Sequence, residues 1–280
     1  MPERVLDPRA AGAKRLKDRV AIITGSGQGI GRATARRMAE EGAIIMVCDR
    51  NHQGAERTRD ELRDYGTTAE MHVDDVSQPD SAKALMAAAK ERFDHIDILV
   101  NNAGGSMHGP KLGWEYTPEE ILANVQNNFF TTMWCCWAVL PYMVAQRSGA
   151  IVNLGSNAPQ GTMRLPYAAS KGGVFAITTS LALETAELGV RINCVAPHWS
   201  VSEDPSDALV TRIPGQAISR RLEEQAEFRQ RLAEQHLRNI PMRRPGLKEE
   251  QAAAIVFLAS DDASFITGQI LSVGGGARAF

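Results

Sequence analysis

Val20-Ala21-Ile22-Ile23-Thr24-Gly25-Ser26-Gly27-Gln28-Gly29-Ile30-Gly31 is the stretch whose reading settles the architecture. An apolar run, Val20–Thr24, leads directly into a glycine-rich turn, and the residues after it, Gly31–Glu41, carry helical periodicity. A strand that feeds a glycine turn and then opens a helix is the first half of a βαβ unit. Glycines let the chain turn tightly and let another group approach the backbone. The helix start adds unpaired N–H groups and the positive end of its dipole. Gly25, Gln28, Gly29, Ile30 and Gly31 are therefore candidate contacts for a diphosphate, although the spacing Gly25-x-x-x-Gly29-x-Gly31 departs from the common G-x-G-x-x-G.

Working outward, six further apolar runs repeat the pattern: Ile44–Cys48, Ala69–Val73, Ile98–Asn101, Ala150–Leu154, Arg191–Val195 and Gln269–Val273. Helical segments such as Ser81–Phe93 and Gly172–Leu188 separate them. Strands alternating with helices predict a single doubly wound Rossmann domain of α/β class, with a seven-stranded parallel sheet covered on both faces and right-handed connections. Two regions break the rhythm. Residues 1–17 form an N-terminal arm ahead of the domain at 18–280. Residues 198–245 form an insertion before the last helix and strand, and its interleaved arginines and glutamates read as a helical lid over a site.

Composition excludes several classes. With 44% hydrophobic and 23% charged residues the chain can bury a large core. Its formal net charge of −2 argues against a nucleic-acid partner. Four cysteines in 280 residues, without C-x-x-C or zinc spacing, read as buried thiols of a reducing, cytoplasmic compartment and give no metal site. Met1 to Lys17 has no apolar h-region. Ile121–Gln146 carries no charge, but its amides and Pro141 make it a helix buried in protein or at a subunit contact, not a membrane span.

The second strand run is followed by Asp49, 18 residues after the last loop glycine, where a carboxylate can accept hydrogen bonds from both ribose hydroxyls and repels a 2′-phosphate. Neither Ser26 nor Gln28 is basic, and Arg50 alone points the other way, so NAD is expected over NADP. Asp75, followed by Val76, suits either an adenine contact or the cap region of the next helix.

At the chemical end come Asn101-Asn102-Ala103-Gly104-Gly105, then Gly155-Ser156, then Tyr167-Ala-Ala-Ser-Lys171 at the opening of a helix. Tyr167 and Lys171 are four apart and share a helix face. From about residue 16 to residue 276 the sequence resembles the short-chain dehydrogenase/reductase family, whose motifs occur here in order and at about the same spacing. The resemblance implies a dinucleotide along Asn102, Ala103, Gly104, Pro197 and Ser200. It also implies Tyr167 as the base that takes a substrate hydroxyl proton, Lys171 as the cation beside it, Ser156 as a hydrogen-bond partner of the reacting oxygen, and Asn128 as an anchor for a water reaching Lys171. Two features depart from the pattern: a Ser-to-Tyr gap of 11 residues, and His198, a candidate substrate contact, where glycine is usual.

Within the family, Trp134-Cys135-Cys136, Arg164-Leu-Pro166-Tyr167, Arg212-Ile-Pro214 and Gln251 to Ser260 are similar to the branch that acts on 1,6-dihydroxycyclohexa-2,4-diene-1-carboxylate. Asn128 and the pair His198-Trp199 depart from that branch. The similarity implies a small-molecule substrate, a cyclic cis-dihydrodiol carboxylate, oxidised to a catechol with loss of CO2. Arg164 and Arg212 are candidate grips on its carboxylate. Met107, Met163 and Trp199 suggest an apolar pocket. The resemblance and the aromatic-rich Asn128–Met143 segment imply a homotetramer. The alternatives are a ketone or 3-oxoacyl thioester reductase using NAD(P)H, and a nucleotide-binding sensor without turnover.

Overall fold

In the computed structural model, which describes residues 14–160, 162–201 and 237–277, β1 (Val20–Thr24) is buried along its whole length. It pairs in parallel with β2 (Ile44–Asp49) on one side and β4 (Ile98–Asn101) on the other. The sheet continues through β3 (Ala69–Val73), β5 (Gly149–Leu154), β6 (Val190–Pro197) and β9 (Ile270–Val273), in the order β3-β2-β1-β4-β5-β6-β9. A separate parallel pair joins β7 (Ser200–Val201) to β8 (Gly246–Leu247).

The period-two alternation of the strands divides the core. Ile22, Met46, Leu99, Ile151 and Ile192 face one layer, with Leu85 of α3 (Pro79–Phe93), Val139 of α5 (Thr131–Gln146) and Ile177 of α6 (Leu165–Thr185). Ile23, Val47, Val100, Val152 and Val195 face the other, with Met38 of α1 (Gly29–Glu40), Leu62 of α2 (His52–Asp64) and Ile255 of α7 (Lys248–Ala259). A one-residue slip would exchange the two sets, so burial itself holds the register.

The uncharged segment is not one regular helix. α4 (Pro118–Val125) begins with a capping box, in which Thr117 Oγ1 accepts from Glu120 N and Glu120 Oε2 accepts from Thr117 N. A π-turn over Gln126–Phe130 then joins it to α5. Within that turn Asn128 Nδ2 donates to the Asn124 carbonyl at 2.9 Å, competing for the acceptor that the regular ladder uses. Among the described residues no helix is long and apolar enough to cross a membrane. The four cysteines are free and buried, and burial pushes Cys136 and Cys194 up to about 12 and raises Cys48 and Cys135 as well. Thiols so held are unreactive.

The end of the N-terminal arm packs into the domain. Leu16 is buried in the α1 layer, and Arg15 donates to the Glu41 carboxylate from its backbone N, Nε and Nη2. Arg37 adds two further bonds to Glu41 Oε1. Residues 1–13 and most of the 198–245 insertion, with Arg212, lie outside the described residues.

Hydrogen bonding from Arg15 holds the Glu41 carboxyl below the ordinary carboxylate value, against the opposing effect of burial. A group whose folded value is depressed adds stability that is complete above its unfolded value of about 4.3 and is lost as pH falls through the folded value. Glu41→Gln is therefore expected to cost about 2 kcal/mol at pH 7. Urea unfolding between pH 7 and pH 3 should show the wild type losing more stability than the variant, and equal losses would refute the linkage.

Candidate active site

The C-terminal ends of the strands enclose a cleft of about 690 Å³ at the place where strand order reverses. At one end lies the glycine turn. Gly25 has φ +64°, and a Cβ on Gly31 would collide with the Gly25 carbonyl and the Asn102 amide. Those contacts pin the turn from behind. Gly29, the first residue of α1, opens on the cleft, and the nearest side-chain atom to a Cβ placed there would be Lys248 Nζ at 3.7 Å. The side chain of Gln28, the N-cap residue of α1, makes no capping bond, and the first turn has no acidic residue. The turn thus presents the open, positively polarised cradle that a diphosphate requires.

Asn102 braces this turn by donating from Nδ2 to the carbonyls of Thr24 and Gly25 at 3.0 and 2.9 Å. Asp49, at the end of β2, accepts from Gly27 N through Oδ2 and from Asn51 N through Oδ1, both at 2.9 Å. Its carboxylate is oriented before any ligand arrives, and it shares the cleft with Arg50 at the rim. Asp75 Oδ1 accepts from Ser77 N at 3.0 Å while lining the cleft, so the turn role and the ligand role coexist.

At the other end α6 brings Tyr167 and Lys171 onto one face. Lys171 is only 4% exposed. Its Nζ donates to the Leu154 carbonyl at the end of β5, at 2.6 Å, and stands 5.9 Å from the centre of the Tyr167 ring. Ser156, two residues past β5, accepts from Ala158 N through Oγ at 3.0 Å. Pro197, at the end of β6, is paired with Val273, and His198 N donates to the Val273 carbonyl at 3.3 Å.

The cleft brings together Gly25, Gln28, Gly29, Ile30, Asp49, Asp75, Val76, Asn102, Ala103, Gly104, Ser156, Tyr167, Lys171, Pro197, His198 and Ser200. Gly31 lies behind the turn, and Arg164 stands just before α6, outside the lining. Trp199 lines the cleft, whereas Met107 and Met163 do not. Asn128 is fully buried and works from beneath. Its Oδ1 accepts from Gly105 N at 2.8 Å, and its Nδ2 donates to Gly105 O at 3.0 Å. Asn127, its neighbour, reaches the cleft instead. Lys248 also lines the cleft and went unread in the sequence. It follows the insertion, and no local motif marks it.

Comparison with known proteins agrees with this fold. The family profile described as short chain dehydrogenase matches residues 19–203. The chain is 43% identical over 264 residues, 94% of each chain, to 1,6-dihydroxycyclohexa-2,4-diene-1-carboxylate dehydrogenase of Pseudomonas putida. It is 35% identical over 265 residues, 94% of this chain and 95% of the relative, to 2,3-dihydroxy-2,3-dihydro-p-cumate dehydrogenase of Pseudomonas putida. Among solved structures, NAD+-bound xylitol dehydrogenase superposes with a TM-score of 0.81 at 29% identity, covering 93% of this chain and 99% of the other.

Asn128→Ala would strand the Gly105 N–H beneath the cleft, while the Gly105 carbonyl keeps Asn127 Nδ2 as a donor, at a cost of about 2 kcal/mol. Chemical denaturation should register that loss, and hydrogen exchange should show faster exchange at the Gly105 amide. Unchanged exchange there would contradict the bracing role.

Proposed function

The chain belongs to the short-chain dehydrogenase family, and from that premise we propose that it oxidises the secondary hydroxyl of a cyclic cis-dihydrodiol carboxylate, with NAD as acceptor. The observation that carries this reading is that Ser156, Tyr167 and Lys171 share one cleft with the glycine turn and Asp49. The relatives named for ring diols support the substrate class.

Ser156 Oγ hydrogen-bonds the reacting oxygen and holds it against the phenol of Tyr167. Tyr167 takes the hydroxyl proton as hydride leaves the adjacent carbon. Lys171 is a buried cation whose charge acts on the phenol through a medium of low dielectric, so it stabilises the negative oxygen more strongly than a solvated ammonium would. The bound nicotinamide supplies the acceptor for the hydride. The ketone so formed adjoins the carbon bearing the carboxylate. That β-keto acid loses CO2, the electron pair of the breaking C–C bond forms an enolate, and protonation gives the aromatic catechol. The protein's remaining tasks are grip and shape. Arg164 and Arg212 are the candidates for the carboxylate, and His198 and Trp199 form a wall.

Asn128 is a positioning residue that holds the Gly105 loop against the cleft. Asp49, fixed by two backbone N–H groups, favours NAD because its charge repels a 2′-phosphate. The four buried thiols support a reducing, cytoplasmic setting. Half-exposed Trp137 and exposed Leu122, on α5 and α4, support association into a homotetramer.

Initial rates with a cyclohexadiene cis-diol carboxylate and NAD should exceed those with a 3-oxoacyl thioester and NADPH. Tyr167→Phe should lower kcat by about 10³-fold while leaving NADH binding intact. Activity on the thioester alone would overturn the substrate class, and NADH binding without any turnover would favour a sensor. Asp49→Ser should raise kcat/KM with NADP by about tenfold or more, the scale of a removed like-charge contact. Light scattering at micromolar concentration should give four subunits, and a monomer would refute the assembly.

A further inference from the structure

One amide inside an otherwise apolar layer joins β4, α5 and α6 to β5. Asn153 of β5 is fully buried, on the strand face that also carries Ile151. Its Oδ1 accepts from Asn101 Nδ2, at the end of β4, at 2.9 Å and from Cys136 Sγ, on α5, at 3.7 Å. Its Nδ2 donates to Thr178 Oγ1, on α6, at 3.0 Å, and that hydroxyl donates onward to the Val174 carbonyl at 2.8 Å. Leu99, Val139, Ile177 and Ile192 belong to the same layer. A buried amide costs free energy there unless its bonds are made, and an apolar side chain would pack as well. What the bonded amide adds is direction, which apolar contact lacks.

That direction bears on the catalytic pair. Lys171, Val174 and Thr178 recur at helical spacing on one buried face of α6. Lys171 Nζ donates to the carbonyl of Leu154, the residue that follows Asn153 on β5. α6 is therefore tied to β5 at two points separated by two helical turns, about 10 Å along its axis. Apolar contact discriminates weakly between nearby positions of a helix on a sheet, whereas two directional bonds fix both its height and its rotation. The sheet side of the joint is held as well. Asn101 is followed by Asn102, whose amide braces the glycine turn from the same strand end.

We propose that Asn153, acting through Thr178, is a positioning residue that sets the height of the catalytic helix, and so the place where Lys171 and Tyr167 meet the reacting oxygen. This rests on the dehydrogenase reading above and deepens it. Neither Asn153 nor Thr178 lines the cleft, so their effect on the reaction passes through α6 alone. A catalytic group displaced by about 1 Å can cost up to about 10²-fold in rate. The adenosine and diphosphate end of the cleft is built on β1, β2 and α1, and its grip on a dinucleotide does not depend on where α6 stands.

The test separates positioning from stability. Thr178→Val keeps the shape of the side chain and removes the acceptor of the Asn153 amide, while Thr178→Ser keeps the hydroxyl. Val139→Ala, in the same layer but outside the chain of bonds, serves as the control for lost stability. With NAD and a cyclohexadiene cis-diol carboxylate, Thr178→Val should lower kcat about tenfold while KM and the NADH Kd stay within about twofold of wild type. Thr178→Ser should restore kcat to within about twofold. Val139→Ala should lose at least as much Tm and keep its kcat. A crystal structure of Thr178→Val should show Lys171 Nζ moved out of hydrogen-bond reach of the Leu154 carbonyl. Unchanged kcat in Thr178→Val, a loss that serine does not restore, or an equal loss in Val139→Ala would overturn the anchor. A wild type that oxidises no secondary alcohol with NAD would overturn the reaction reading instead. The Lys171–Leu154 contact in Thr178→Val would then decide the anchor alone, and an unmoved contact would sink it.

Discussion

The hydroxyl of Thr24 joins the two halves of this protein. At the end of β1 it donates to the Val100 carbonyl and accepts from the backbone N–H groups of Asn102 and Ala103. β1 belongs to the half that carries the glycine turn, and β4 belongs to the half that leads to the catalytic helix. The crevice between them exists because β1 and β4 are paired neighbours whose onward connections leave in opposite directions, β1 toward β2 and β4 toward β5. A single buried hydroxyl thus fixes the separation of the cofactor turn from the Asn102–Gly105 wall. Asn102 completes the joint by returning its amide to Thr24 and Gly25.

The same economy governs the reactive end. Lys171 is buried, and its ammonium donates to a carbonyl, that of Leu154. A buried ammonium held by a neutral oxygen keeps a strong field, which here falls on the Tyr167 ring. Beneath the cleft, Asn128 spends its amide on Gly105 and on the Asn124 carbonyl. The π-turn around it is the structural trace of that competition, and π-turns of this kind recur at functional sites.

Much of this was legible in one dimension. The strand runs from Val20 to Val273 coincide with the observed strands to within two residues at most ends, because burial on both faces demands unbroken apolar stretches. Tyr167 and Lys171 were legible as neighbours because helical spacing brings positions four apart onto one face. Three features were not. The π-turn follows from a side-chain bond that periodicity does not encode. The anchoring of Arg15 to Glu41 joins residues 26 positions apart. Lys248 reaches the glycine turn only because α7 packs against α1.

By itself the sequence determined the fold class, the parallel sheet and the identity of the turn, the acid and the tyrosine–lysine pair, since each depends on local spacing or on unbroken hydrophobicity. Tertiary structure decided which polar groups face the cleft and which brace it from behind. Asn127 and Asn128 are adjacent and chemically identical, yet one lines the cleft and the other is buried beneath it. Spacing along a chain sets which face of an element a residue occupies, but what that face meets depends on how distant elements pack, and no local pattern carries that information.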